Sequence, residues 1–308
     1  MKRKLTWTVL ILGAALGGGL WYYSGQLLFP AWRAKDLSVC DERTVKYWGP
    51  NCGNLRMNQE FKFQEVQIPS INGYNMAGWL ITTAENGRGQ ARGAVFYAHG
   101  GGSDRREGSR YVKLLLDNHF DVLLFDMGCS VETPCPVPGM TFGHRESRDV
   151  TSAYLYLSQK YKTVVPMGTS VGATSILIAL PTLRDAAGII AENPMFSFRR
   201  FVLETPASPS IVPQWFKGLV IRLALRRGRF DGLANAETSV RIVKGPPIFF
   251  LHSKKDMLIP YQHTEELSAL YTGPKKVWIT EEGEHASLWN ADATAFDKQI
   301  SDFLTTLR

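Results

Sequence analysis

From residue 93 onward the chain alternates short, uninterrupted runs of β-branched and aromatic residues with longer stretches of helical periodicity, and this alternation leaves few folds open. The runs cover residues 94–98, 122–125, 163–167, 188–191, 248–251 and 276–279, with helical patterns at 107–118, at 146–161 and from 171 on. A run that is apolar at every position, rather than at every second one, belongs to a strand buried on both faces. Strands of that kind separated by helices predict a mostly parallel sheet in an α/β fold, covered on both sides. Upstream, residues 61–68 and 75–83 flank Asn72-Gly73 and predict an antiparallel opening to the same sheet. Between Glu192 and Ile248 lie about 55 residues rich in Pro and Arg, too many for an ordinary connecting loop. They predict a cap inserted at about 193–245 over the carboxyl edge of the sheet.

The organisation expected is therefore an anchor over residues 1–30, a connector over 31–58, and one large domain over 59–308 that contains the cap. With 44% apolar residues, the 308-residue chain can fill such a core. Its formal charge of +7 raises the possibility of nucleic acid. No basic run is interleaved with aromatics, and no recognition-helix or metal-finger spacing occurs, so no nucleic-acid partner is expected. The charge is instead local: residues 193–245 hold nine Arg and Lys against Glu204, Asp231 and Glu237.

Met1-Lys2-Arg3-Lys4 precedes a charge-free stretch, most continuously apolar over residues 5–23. About 20 helical residues cross a hydrocarbon core. Trp21-Tyr22-Tyr23 suits a membrane interface better than a cleavage site, so an uncleaved transmembrane helix is expected, with a cleaved signal or a buried or interfacial helix as alternatives. The basic start places the large domain on the non-cytoplasmic side. There Cys40 with Cys52, and Cys129 with Cys135, are candidate disulfides; four reduced thiols are the alternative, and neither pair has zinc-type CxxC spacing.

The chemistry centres on Gly168-Thr169-Ser170-Val171-Gly172, which follows an apolar strand and opens a helix-forming run. Such a sharp turn lifts the middle serine clear of the sheet, and its crowded flanks need glycine. Serine also needs a base, and the base an orienting acid. Asp256 follows the 248–251 strand and His285 follows the 276–279 strand, both at the carboxyl edge and in the order Ser, Asp, His. The rivals for the acid are Glu192 and Asp126, which also end strands. The remaining histidines, His99, His119, His144, His252 and His263, end strands or lie at or within helices and read as structural.

Transition-state charge would be met by backbone N–H groups of Gly101, with Gly100 or Gly102 as alternatives, and of Val171 at the helix start. No GxxxxGK[ST] phosphate loop is present. In the cap, Arg222 and Arg226 lie one helical turn apart on an apolar stretch; the expectations are a packed helix with solvated arginines, contact with lipid or acyl chains, or recognition of an anionic substrate.

The combination of His99-Gly100-Gly101, Gly168-Thr169-Ser170-Val171-Gly172, Asp256 and His285 resembles the α/β-hydrolase superfamily and looks like its membrane-anchored, bud-emergence (Bem-type) branch. The resemblance covers roughly residues 61–308. It implies a serine hydrolase that cleaves an ester, thioester or amide through an acyl-enzyme, with a small-molecule or lipid acyl substrate, no metal and no redox cofactor. Asp126-Met127-Gly128-Cys129 departs from the Asp-Tyr-Arg-Gly that is common after the fourth strand in related sequences. Two other readings stay open: a non-catalytic lipid- or partner-binding protein on the same fold, and an acyltransferase using the same serine.

Overall fold

The structure is a computed structural model that describes residues 2–30, 36–134, 136–137, 139–230, 232 and 235–307, without the side chains of residues 2–6, 9 and 43. All eight expected strands form. They are β1 (Gln64–Pro69), β2 (Asn75–Ile81), β3 (Gly93–Ala98), β4 (Phe120–Phe125), β5 (Val164–Thr169), β6 (Ile189–Glu192), β7 (Ile248–Ser253) and β8 (Lys275–Thr280). They build one sheet in the order β1-β2-β4-β3-β5-β6-β7-β8.

Only β2 runs antiparallel to its neighbours, β1 and β4. The remaining pairings are parallel, as fully apolar strands require. Strands β3, β4, β5, β6 and β7 are buried at every position, while β8 at the edge is half-exposed. Two apolar clusters, one on each face, enclose the sheet and hold alternate residues of the same strands, such as Phe96 and Phe250 on one side and Val95 and Phe249 on the other. Residues 107–118 are less regular than expected: a 3-10 segment, Arg105–Tyr111, precedes a short α-helix, Val112–Asp117. The 3-10 segment carries four buried charges, Arg105, Arg106, Glu107 and Arg110, each tied to a fixed partner, and those bonds override the helical pattern.

Between β6 and β7 three helices, Phe198–Glu204, Gln214–Arg227 and Ala236–Ile242, lie over the sheet's carboxyl edge. A third apolar cluster joins this layer to Phe142, Val171 and Leu28. Leu28 ends the N-terminal helix, Lys2–Leu28, whose last turns pack on the cap helix Gln214–Arg227. There Arg227 donates to the Trp21 carbonyl and to Ser24 Oγ, both at 2.6 Å, and its guanidinium covers the Trp21 ring.

The expectation of a membrane-spanning helix over residues 1–30 finds no support in this arrangement. Among the described residues no helix is long and apolar enough to cross a membrane. The end of the N-terminal helix is occupied by a cationic side chain and a protein partner, an arrangement that would be costly in hydrocarbon. The cap helix is packed with its arginines solvated, the first of the three expectations for it: Arg222 and Arg226 are exposed, and the helix packs against the N-terminal helix.

In the connector, Cys40 and Cys52 form a disulfide with Cα atoms 5.6 Å apart. It brackets a short helix, Glu42–Trp48, capped by the Asp41 side chain. Cys129 is described, but its expected partner Cys135 lies outside the described residues.

Candidate active site

At the end of β5 the chain turns sharply into the helix Val171–Ala179, and Ser170 holds the turn at φ 56° and ψ −116°. An L-residue adopts such a backbone only under constraint, at a cost on the order of 1–3 kcal/mol. The constraint is visible, since Ser170 N–H donates to the Glu192 carbonyl at 2.8 Å on the neighbouring strand. The flanking glycines are needed for space: a Cβ on Gly172 would stand 2.0 Å from the Ala98 carbonyl oxygen, and one on Gly168 would stand 2.9 Å from backbone atoms of Gly172 and Ala173. Both obstacles are backbone and cannot move aside.

The turn brings Ser170 Oγ to 3.0 Å from His285 Nε2. His285 Nδ1 lies 2.7 Å from Asp256 Oδ2. Three residues widely separated in sequence thus form one hydrogen-bonded chain along the carboxyl edge. Its polarity follows from Asp256, which can only accept while ionised: the ring proton sits on Nδ1, leaving Nε2 to accept from the serine hydroxyl.

Five donors face the Asp256 carboxylate. Oδ1 accepts from the N–H groups of Leu258 and Ile259, both at 2.8 Å. Oδ2 meets His285, Asn193 Nδ2 at 2.8 Å and His252 Nε2 at 3.2 Å. His252 Nε2 also faces the Ile259 carbonyl, and Thr264 Oγ1 is 2.6 Å from Nδ1, so its proton belongs on Nε2. Burial raises the pKa of Asp256, but the His285 charge and the hydrogen bonds from both histidines outweigh it and hold the carboxyl well below its usual range.

For His285 burial acts downward, while the charge and hydrogen bond of Asp256, with Glu192 and Glu107 further off, raise its pKa above the ordinary 6.5. Only the neutral imidazole can take a proton from Ser170. An activity that depends on His285 is therefore expected to fall as pH drops through a midpoint above 6.5. The measurement is kcat/KM against pH on a fixed ester, and a midpoint below 6 would contradict the role of Asp256 (about 6.5 is the unperturbed imidazole value).

The rival acids are placed elsewhere. Glu192 is buried with its carboxylate held by Thr169 Oγ1 at 2.9 Å and Tyr111 Oη at 3.2 Å, with no hydrogen bond to an imidazole among the described residues. Asp126 pairs with buried Arg105. Of the other histidines, His99 is turned inward, between the Gly100 carbonyl and the N–H of Met127.

The glycine loop after β3 reaches the elbow. A Cβ on Gly101 would meet the side chain of Val171, at Cγ2, at 2.8 Å, so the loop packs against the residue that follows the serine. Val171 is the first helical residue, and its N–H has no acceptor within the helix. The N–H of Gly100, an alternative donor in the sequence reading, is committed to the buried Glu107 carboxylate at 2.7 Å. A cavity of about 1160 Å³ opens over Ser170, His285, Gly101 and Val171.

Sequence reasoning did not single out Asn193, His252 or Glu107. His252 carried a usable signal, a histidine closing the strand four residues before the acid. Asn193 and Glu107 carried none, because their roles depend on neighbours 63 and 7 residues away in the chain.

No protein-family model matches the chain. It is 24% identical over 244 residues to the uncharacterized protein YqkD of Bacillus subtilis, covering 78% of each chain. It is 23% identical over 247 residues to the uncharacterized protein YfhR of Escherichia coli, covering 78% of this chain and 80% of that one. Among solved structures, the esterase Pf2001 of Pyrococcus furiosus superposes with a TM-score of 0.65 at 18% identity, over 80% of this chain and 93% of that one. The α/β hydrolase GrgF of a Penicillium species gives 0.62 at 16% identity over 80% and 99%. An esterase of Exiguobacterium antarcticum gives 0.58 at 13% identity over 79% and 100%. The chain has the α/β-hydrolase fold.

Proposed function

We propose that the protein is a serine hydrolase that cleaves an acyl ester or a related thioester or amide through an acyl-enzyme, and that it works tethered to a membrane. The observation that carries the reading is the continuous hydrogen-bonded chain Ser170–His285–Asp256 at the floor of a large cavity. His285 Nε2 takes the Ser170 proton as Oγ attacks the acyl carbon. Asp256 keeps the ring oriented and stabilises its positive charge. The N–H groups of Gly101 and Val171 meet the developing oxyanion. His285 then returns the proton to the leaving group, and water, activated by the same imidazole, releases the acid. Several of the structures similar to this chain are named esterases, in keeping with this chemistry.

A fluorophosphonate probe tests the nucleophile directly. Wild type is expected to be labelled and Ser170→Ala not. Folded protein that resists the probe would leave the fold as a binding module.

The membrane part rests on Trp7, Leu10, Ile11 and Leu12 of the N-terminal helix, all more than half exposed, downstream of Lys2-Arg3-Lys4. The Cys40–Cys52 disulfide agrees with a domain on the non-cytoplasmic side, within the Bem-type branch of the superfamily. The full-length chain is expected to sediment with membranes and resist carbonate extraction, whereas a chain lacking residues 1–20 is expected in the supernatant. Recovery of the full-length chain in the soluble fraction would overturn the tether.

A further inference from the structure

The cavity over Ser170 has two chemically different walls. One is apolar, formed by Met140, Phe142, Val171, Met195, Phe201 and Leu258. The other is polar, and part of it comes from outside the large domain: Thr44, Tyr47 and Trp48 of the connector helix stand there with Glu107 and Glu284.

The connector wall is fixed in place without any ligand. The Tyr47 hydroxyl donates to Glu284 Oε2 at 2.8 Å, one residue from His285. Asn290 Nδ2 donates to the Tyr47 carbonyl at 3.0 Å. Arg106 donates to the carbonyls of Leu37 and Val39, at 3.0 and 2.8 Å, and lies over the Trp48 ring. The disulfide closes the loop around the helix.

The reaction itself assigns the two walls. In the step that forms the acyl-enzyme, Ser170 Oγ bonds to the acyl carbon, the bond to the leaving oxygen breaks, and that oxygen takes the proton from His285 Nε2. The leaving group must therefore lie on the side of His285 and Glu284. The acyl group takes the apolar wall, whose residues belong to the cluster around Val171, with its carbonyl oxygen toward Gly101 and Val171.

We infer that the disulfide-held connector helix Glu42–Trp48, with Glu284, forms the leaving-group subsite, and that it selects esters joining an apolar acyl group to a polar, non-anionic alcohol. Glu284 is exposed and its carboxylate is held by the neutral Tyr47 hydroxyl, so it brings negative charge to this side of the cavity, whereas Glu107 is paired with Arg110. Lys254 and Lys255 also line the cavity, but each is paired, with Glu281 and Glu282 respectively. An anionic alcohol would meet the Glu284 carboxylate on entering, whereas a hydroxyl-bearing or cationic one finds an acceptor. Glu107 is buried and held by Gly100 N–H and Arg110, whereas Glu284 is exposed and Tyr47 half-buried, so Tyr47 and Glu284 are the specificity-determining pair.

The inference rests on Ser170 as nucleophile, and the test separates the two. Full-length protein is first treated with the fluorophosphonate probe; failure to label overturns the nucleophile, whatever the subsite. Labelled protein is then assayed with octanoyl esters of choline, glycerol, ethanol and glycolate. Choline and glycerol esters are expected to exceed the glycolate ester in kcat/KM by at least about tenfold, the range a single charged contact can set. Glu284→Lys is expected to reverse the order of choline and glycolate, and Tyr47→Ala to raise KM for the glycerol ester relative to the ethyl ester. Glycolate turned over as well as glycerol by labelled wild type overturns the inference, and so does a Tyr47→Ala protein whose ratio of the two KM values is unchanged. Wild-type selectivity is itself a test, so a variant that does not fold hides nothing.

Discussion

Ser170→Ala is expected to lower kcat on an activated ester by a factor on the order of 10⁶, the loss seen when the nucleophile of a cooperating triad is removed. The size follows from the geometry: Ser170 Oγ is the hydroxyl that meets His285 Nε2, at 3.0 Å, and the Cβ of alanine offers neither a nucleophile nor a proton for that imidazole to take. The fold is expected to survive. Alanine keeps the Cβ and therefore the strained turn at φ 56°, and the Ser170 N–H bond to the Glu192 carbonyl does not involve the side chain. Only one hydroxyl hydrogen bond is lost, about 1 kcal/mol. Thermal denaturation alongside the assay separates lost chemistry from lost structure. A folded variant that retained a tenth of the activity would remove Ser170 from the mechanism.

Asp256→Asn is expected to cost a factor on the order of 10⁴ in kcat, through the wrong imidazole tautomer and the loss of the charge that stabilises the imidazolium. The surroundings of Asp256 make the substitution worse than a loss of charge. Oδ1 faces two N–H donors and Oδ2 faces Asn193, His252 and His285, so the amide nitrogen meets donors whichever way the side chain turns. A loss of stability of roughly 1–3 kcal/mol should accompany the lost rate, as for a buried polar group left unsatisfied.

The control is Glu192→Gln. Glu192 is equally buried and also ends a strand, but its carboxylate is held by Thr169 and Tyr111 and not by the imidazole. It raises the pKa of His285 only through space. Its substitution is expected to change kcat by less than about tenfold, the scale of a modest electrostatic contribution. If Glu192→Gln proved the more damaging of the two, the orienting acid would have to be reassigned.

Much of the fold was legible because its signals are local. Strands such as 94–98 and 248–251 are apolar at every position, and a parallel sheet enclosed by helices is the arrangement that buries such strands on both faces. The serine turn was legible because its two glycines answer to immediate backbone crowding, at Ala98 and within the turn itself. Asp256 and His285 were legible through position alone, as the loop residues that follow the last two strands.

The N-terminal region was less so. Its apolar run reads as a membrane span when taken by itself, yet its last turns pack against a cap helix some 200 residues away, through Arg227 on Trp21 and Ser24. The connector had no pattern at all to mark it as part of the cavity. Its place depends on single bonds to distant residues, Tyr47 to Glu284 and Arg106 to Leu37 and Val39.

The sequence by itself determined the sheet, the serine turn and the order of the three residues along its edge, because hydrophobic periodicity and glycine act over a few neighbouring positions. The tertiary structure alone decided which carboxylate reaches His285, which loop amide is already engaged, and which segments wall the cavity. Those outcomes depend on the angle at which each buried hydrogen bond can be made, and that angle exists only after elements far apart in the chain have packed together.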